Sequence, residues 1–84
     1  MNRALIYGQI EGEVLRAEGL HPVWPNSRVE QIAIVVEEAG EALKEALNLR
    51  SVDFHSANAT LEKLREELVQ TAAMAVRAIE HLGA

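Results

Sequence analysis

"SRVEQIAIVVEEAGEALKEAL", residues 27–47, decides the fold. It opens as a capping box, with the Ser27 hydroxyl placed to accept from the third helical amide and Glu30 placed to reach back to the cap. Val29, Ile32, Val36, Ala39, Leu43 and Ala46 follow at spacings of 3, 4, 3, 4 and 3, which is the repeat of one helix face. Ile34 and Val35 fall off that stripe, so around "IAIVV" the helix is apolar almost all round. Such a helix lies centrally in a bundle, with neighbours on more than one side. It is predicted to run to about Leu49.

Two further helices flank it. The first is predicted over about Arg3 to Glu18, where Tyr7, Ile10, Val14 and Ala17 share a face. Gly8 and Gly12 leave room there for another helix to approach, and Gly19 is placed to end it. "LHPVWPN", residues 20–26, follows, and its two prolines bar a helix until Ser27. Downstream, "RSVDFHSAN", residues 50–58, reads as a connection with at most a short helical turn. The third helix is predicted from about Thr60 to His81, with Leu61, Leu64, Leu68, Ala72, Ala75, Ile79 and Leu82 facing inward.

Hydrophobic residues make up 49% of the chain but aromatics only 4%, so the core is built from Ala, Leu, Val and Ile. A single domain over residues 1–84 is expected. A chain this short buries only roughly 60–65% of its unfolded surface when it folds alone. The expectation is therefore an all-α helical bundle of about three main helices per chain, with a central four-helix core completed by dimerisation.

The formal net charge of −5 argues against nucleic acid or an anionic membrane as partner, since both call for a basic surface. With no cysteine, the chain has no disulfide, zinc-thiolate site or thiol nucleophile. The opening residues lack the apolar run of a signal peptide, and no segment approaches the ~20 apolar residues that span a bilayer. A soluble cytoplasmic protein is the expectation.

"EEAGEALKEA", residues 37–46, sets four glutamates directly after the greasy run. Glu38 and Glu41 are three apart and share a face that begins beside buried surface at Ile34. "REELVQT", residues 65–71, repeats the device with Glu67 and Gln70, whose row continues to Met74 and Arg77. If the two helices run antiparallel, three carboxylates and an amide converge in a partly desolvated place, where like charges repel unless a cation neutralises them. All these donors are oxygens, the type a hard divalent ion such as Mg²⁺ prefers. The competing reading is an ordinary solvated helix face, and spacing alone leaves the two about level.

These same stretches resemble the MazG-like, all-α nucleotide pyrophosphohydrolases. The family signature is two glutamates, two other residues and a glutamate on one helix, then a glutamate, two residues and an aspartate on a later one. Glu37, Glu38 and Glu41 match the first half, and Glu67 begins the second, with Gln70 where aspartate is usual. The likeness spans about Val29 to Leu82. It implies hydrolysis of a nucleoside triphosphate, including non-standard ones, to the monophosphate and pyrophosphate, by a homodimer or dimer of dimers. It implies Mg²⁺, with Mn²⁺ as a substitute, held by Glu38, Glu41 and Glu67, with Gln70 at the fourth position. Glu37 is implied as a further ligand or as the group that orients the attacking water.

Gln70 is the departure. An amide oxygen can ligate Mg²⁺, but it carries no charge and cannot act as a base at neutral pH. The resemblance therefore leaves a second reading, a catalytically inactive helical dimer that binds nucleotide or a protein partner. Trp24, the only tryptophan, either stacks on a nucleobase or plugs the end of the bundle, and His21 beside it is a candidate contact for sugar or phosphate. Lys44 and Lys63 are the favoured triphosphate contacts among the basic residues, with Arg28, Arg65 and Arg77 also available. Arg77 lies ~15 Å along the helix from Glu67, so its part depends on chain geometry or on a second subunit. His55 and His81 read as surface residues, and Asp53 as a further candidate ligand.

Overall fold

The helix that follows Ser27 is present, and the Ser27 half of the expected capping box is formed. In the computed structural model, which describes residues 2–83, Ser27 Oγ accepts from the Glu30 amide at 3.4 Å. Three helices make up the described residues, with no strand among them: α1 Arg3–Leu20, α2 Arg28–Asn48 and α3 Phe54–Leu82. None of them is long and apolar enough to cross a membrane.

Two boundaries differ from expectation. The third helix starts at Phe54, six residues before Thr60, because Asp53 caps it, its Oδ1 accepting from the Ser56 amide at 2.9 Å. "FHSAN" contains neither proline nor glycine, so nothing in it resists helix once a cap is supplied. Asp53, a candidate ligand by sequence, is thereby engaged as a cap. At the other boundary, α1 runs through Gly19 to Leu20 and closes with the His21 amide on the Ala17 carbonyl at 2.7 Å. Pro22, with no amide to offer, is what stops it. Gly8 and Gly12 have open space where a Cβ would stand, so the expected close helix approach at α1 is not made within the chain.

α3 is the shared partner, packed by α2 and, on another face, by α1. The α2–α3 pair is antiparallel: the chain turns between them at residues 49–53, and at the far end the Arg28 guanidinium donates to the Leu82 carbonyl at 3.5 Å. The core is small. Val14, Ala17, Ala73 and Met74 form it, and Trp24, Ile34 and Val35 pack against it.

The largest correction concerns which faces are buried. Within the chain, the expected inward stripe of α2 points outward, with Val29 79%, Val36 63% and Leu43 61% exposed. Gln31, Ile34, Val35, Glu38 and Ala42, largely off that stripe, turn inward instead. α3 behaves alike: Leu61, Leu68, Ile79 and Leu82 are exposed, while Ala73, Met74, Arg77 and Ala78 are buried. One chain gives α2 a single helical neighbour, and the small side chains of Ala42, Ala73 and Ala78 let the backbones meet on that side. In both helices the exposed stripe lies about a third of a turn further round than the packed face. On an antiparallel pair an equal rotation in both members carries both stripes to the same side. The radius of gyration, 14.3 Å, exceeds the roughly 12 Å of a compact domain of this length.

Candidate active site

The rotation that exposes the leucine stripes also turns Glu38 toward α3. There it meets the row Lys63, Glu67, Gln70, Met74 and Arg77, spaced by four and three residues along one face of α3. Glu38, Glu67 and Gln70 are all half-buried. With the Gln70 amide oriented to satisfy its surroundings, its Nε2 donates to Glu38 Oε2 at 3.2 Å and to Glu67 Oε2 at 3.3 Å. The neighbouring polar residue in this apolar run, Thr71, donates to the Glu67 carbonyl at 2.7 Å and so carries no unmet hydrogen bond into the core.

The electrostatics follow from the packing. Burial, and then the charges of Glu67, Glu37, Glu41 and Glu13, raise the proton affinity of the Glu38 carboxyl. Glu67 is raised as well, by burial and by Glu41, Glu45 and Glu66, with a hydrogen bond from Glu38 opposing the shift. Two carboxylates that resist ionising together form a place where added positive charge is favoured. Their donor set, carboxylate oxygens flanked by an amide, suits a hard divalent cation. Among the described residues no group of three or more acidic or histidine side chains is already arranged as a metal cage. Glu38 and Glu67 converge. Glu41, one turn on, and Glu37, on a different face, are exposed at the rim. Lys44 and Lys63 are exposed too.

α1 brings two residues to this site that the helix-pair argument missed. Arg16 Nε donates to Glu13 Oε2 at 2.8 Å, and the Glu13 side chain is only 14% exposed. Glu13 is close enough to contribute to the shift on Glu38, which makes it a carboxylate from a third helix. Glutamate followed three residues later by arginine is an ordinary surface pair on a helix. Only the docking of α1 against α3 distinguishes it.

The "HPVWPN" segment closes one end. Gln31 Nε2 donates to the Pro25 carbonyl at 2.7 Å and pins the segment to α2. Arg77 is 4% exposed; one of its terminal nitrogens donates to the His21 carbonyl at 2.9 Å, and its guanidinium carbon lies 4.5 Å from the centre of the Trp24 ring. His81, exposed as expected, stacks on the same ring at 5.7 Å between centroids and donates through Nδ1 to the Arg77 carbonyl at 2.7 Å. Trp24 thus wedges the end of the helices with Arg77 and His81 against it. Chain geometry alone brings Arg77 to the His21 segment, without a second subunit. Between this wedge and the acidic pair lies a cavity of about 240 Å³, lined by Glu13, Arg16, Trp24, Glu38, Gln70 and Arg77 among others. His55, by contrast, is exposed beside Phe54 at the start of α3.

Comparison of the chain with known protein families, with curated proteins and with solved structures finds no match.

Proposed function

We propose that this chain is an Mg²⁺-dependent nucleoside triphosphate pyrophosphohydrolase that acts as a homodimer or dimer of dimers. The observation that carries the reading is the meeting of Glu38 from α2 and Glu67 from α3, both driven toward protonation by burial and then by neighbouring carboxylates, Glu67 first for Glu38 and Glu41 first for Glu67. Helices that brought these groups together for stability alone would be working against themselves. The MazG-like spacing of Glu37, Glu38, Glu41 and Glu67 supports the same function.

In this reading Glu38, Glu41 and Glu67 hold Mg²⁺ or Mn²⁺, with the Gln70 amide rotated to present its oxygen. The ion offsets phosphate charge and makes a bound water easier to ionise. The reaction adds water at the α-phosphorus, breaks its bond to the bridging oxygen and releases pyrophosphate. The chain's own part is to take the proton of that water. Glu37, next to Glu38 in the chain and exposed, is the carboxylate that would orient that water in this reading. Lys44 and Lys63, exposed on the two helices that carry the acidic pair, contact the outer phosphates. His21, Trp24 and Arg77 border the cavity that receives the rest of the nucleotide.

The outward stripes of α2 and α3 support the assembly. Together they place Val29, Ile32, Val36, Leu43, Leu61, Leu68 and Ile79 in water on one side of the pair. A second copy laid across that side buries both stripes and gives a four-helix core.

The test is a panel of ordinary and modified nucleoside triphosphates with Mg²⁺, with the products identified. Monophosphate and pyrophosphate in equal amounts support the reading; phosphate release, or no turnover of any member, removes it. A second reading, a dimer that binds nucleotide without turnover, is favoured by one observation. Gln70 is neutral and already engages both carboxylates. Binding of a triphosphate with Mg²⁺ and no product is its signature.

A further inference from the structure

We propose that Arg16 on α1 is a phosphate-binding residue of this site, clamped by Glu13 so that the remaining edge of its guanidinium takes the phosphate chain of the substrate. The proposal rests on the nucleotide reading and assigns to its phosphates a residue from the third helix of the site. Glu13, Arg16 and Gln70 line two hollows at once: the cavity that also contains Glu38, and a neighbouring one of about 290 Å³ bounded by Gln9 and Glu66 among others. The three residues therefore stand on the partition between the hollows. Gln70 is also the residue that bridges Glu38 and Glu67. A phosphate chain held at the acidic pair passes Arg16 whichever hollow it enters.

The chemistry of the pair fits that task. Arg16 grips Glu13 as a fork, with Nε on Oε2 at 2.8 Å and a terminal nitrogen on Oε1. That uses two of the five N–H groups of a guanidinium and leaves three, in a plane the fork has already fixed. The Glu13 side chain is 14% exposed and that of Arg16 55%, so the carboxylate is sequestered while the guanidinium stays open to a ligand. Arg77, the other arginine on the cavity wall, is buried, bound to the His21 carbonyl and covered by Trp24. Lys44 and Lys63 line neither hollow. Arg16 is thus the arginine of the cavity wall with surface to offer, and a planar guanidinium matches two phosphate oxygens at once. Glu13 alone would add to the repulsion that an anionic substrate meets beside Glu38; bound to Arg16, it becomes the support of a cation.

A pair that served only to neutralise Glu13 would be replaceable by two amides. Glu13→Gln combined with Arg16→Gln removes one charge of each sign, so the net charge stays that of wild type and no carboxylate loses its partner. Isothermal titration calorimetry with inorganic pyrophosphate and Mg²⁺ reads the affinity of each protein. The double variant is expected to bind pyrophosphate at least roughly tenfold more weakly than wild type, the scale of one charge-assisted contact. Arg16→Lys, at a half-exposed position that tolerates the change, keeps the charge but loses the fork and is expected to bind at least about threefold more weakly. A double variant that loses less than that tenfold overturns the proposal, as does Arg16→Lys with unchanged affinity or a wild-type protein that takes up no pyrophosphate. None of these readings depends on turnover. Pyrophosphate bound through Arg16 without hydrolysis in the nucleotide panel removes the enzyme and keeps the phosphate site; hydrolysis with full affinity in the double variant does the reverse.

Discussion

Leu43→Glu tests the architecture most directly. Leu43 is 61% exposed in the single chain and lies in the middle of the outward stripe of α2. Complete burial of a leucine is worth about 1.5–3 kcal/mol, so covering the exposed 61% contributes about 0.9–1.8 kcal/mol per copy. A two-fold interface uses the same residue from both copies, which doubles the figure to about 1.8–3.7 kcal/mol. At tenfold per about 1.4 kcal/mol, the dissociation constant of the dimer rises roughly 20- to 400-fold, before any repulsion between the two new carboxylates is counted. Sedimentation across a protein dilution series reads that constant. Because Leu43 lies outside the intrachain core, the helical circular dichroism of the variant at high concentration should match wild type. A wild-type protein that sediments as a monomer throughout, or a Leu43→Glu variant with an unchanged constant, refutes the reasoning that the stripe belongs to a second copy.

The acidic pair yields further expectations. Glu38→Gln and Glu41→Gln each abolish pyrophosphate release in the nucleotide panel while leaving circular dichroism intact; full turnover in both moves the chemistry elsewhere. Gln70→Asp adds a third charge beside Glu38 and Glu67, so the rise in melting temperature with Mg²⁺ should exceed that of wild type, and a smaller rise shows that the amide is the better ligand. The pH dependence has a definite sign. Glu38 and Glu67 are raised above their ordinary 4.5, so the stability they contribute is fully present below about 4.5 and lost as pH climbs through their folded values. Without metal, the melting temperature of wild type relative to Glu38→Gln should fall with rising pH across that window, and parallel curves contradict the assignment. Asp53→Ala removes the α3 cap at a cost of about 1 kcal/mol, read as a lower denaturation midpoint with an unchanged slope.

Much of the fold was legible because its signals are local. The capping box at Ser27, the two prolines of "HPVWP" and the three-four repeats fix three helices in order, since each acts within one or two turns of the chain. The start of α3 was misplaced because Asp53 works equally well as a cap and as a ligand until its partner is known. The two acidic rows were likewise readable from spacing, and the antiparallel hairpin was enough to set Glu38 against Glu67.

What the sequence by itself determined is the list of helices and the faces that carry leucine, valine and glutamate. Which face each helix turns toward its neighbour was decided only in three dimensions. Periodicity gives the angle between residues on one helix but no zero for that angle. The alanines of α2 and α3 permit closer backbone approach than the leucines do, so the small-residue faces pack within the chain and the large apolar stripes are left outside. The same choice turns Glu38 inward, leaves Glu37 and Glu41 at the rim, and buries Arg77 beneath Trp24. Glu13 and Arg16 became part of the site for an equally non-local reason: the crossing of α1 over α3 depends on the path of the His21–Asn26 segment, and no spacing along the chain records it.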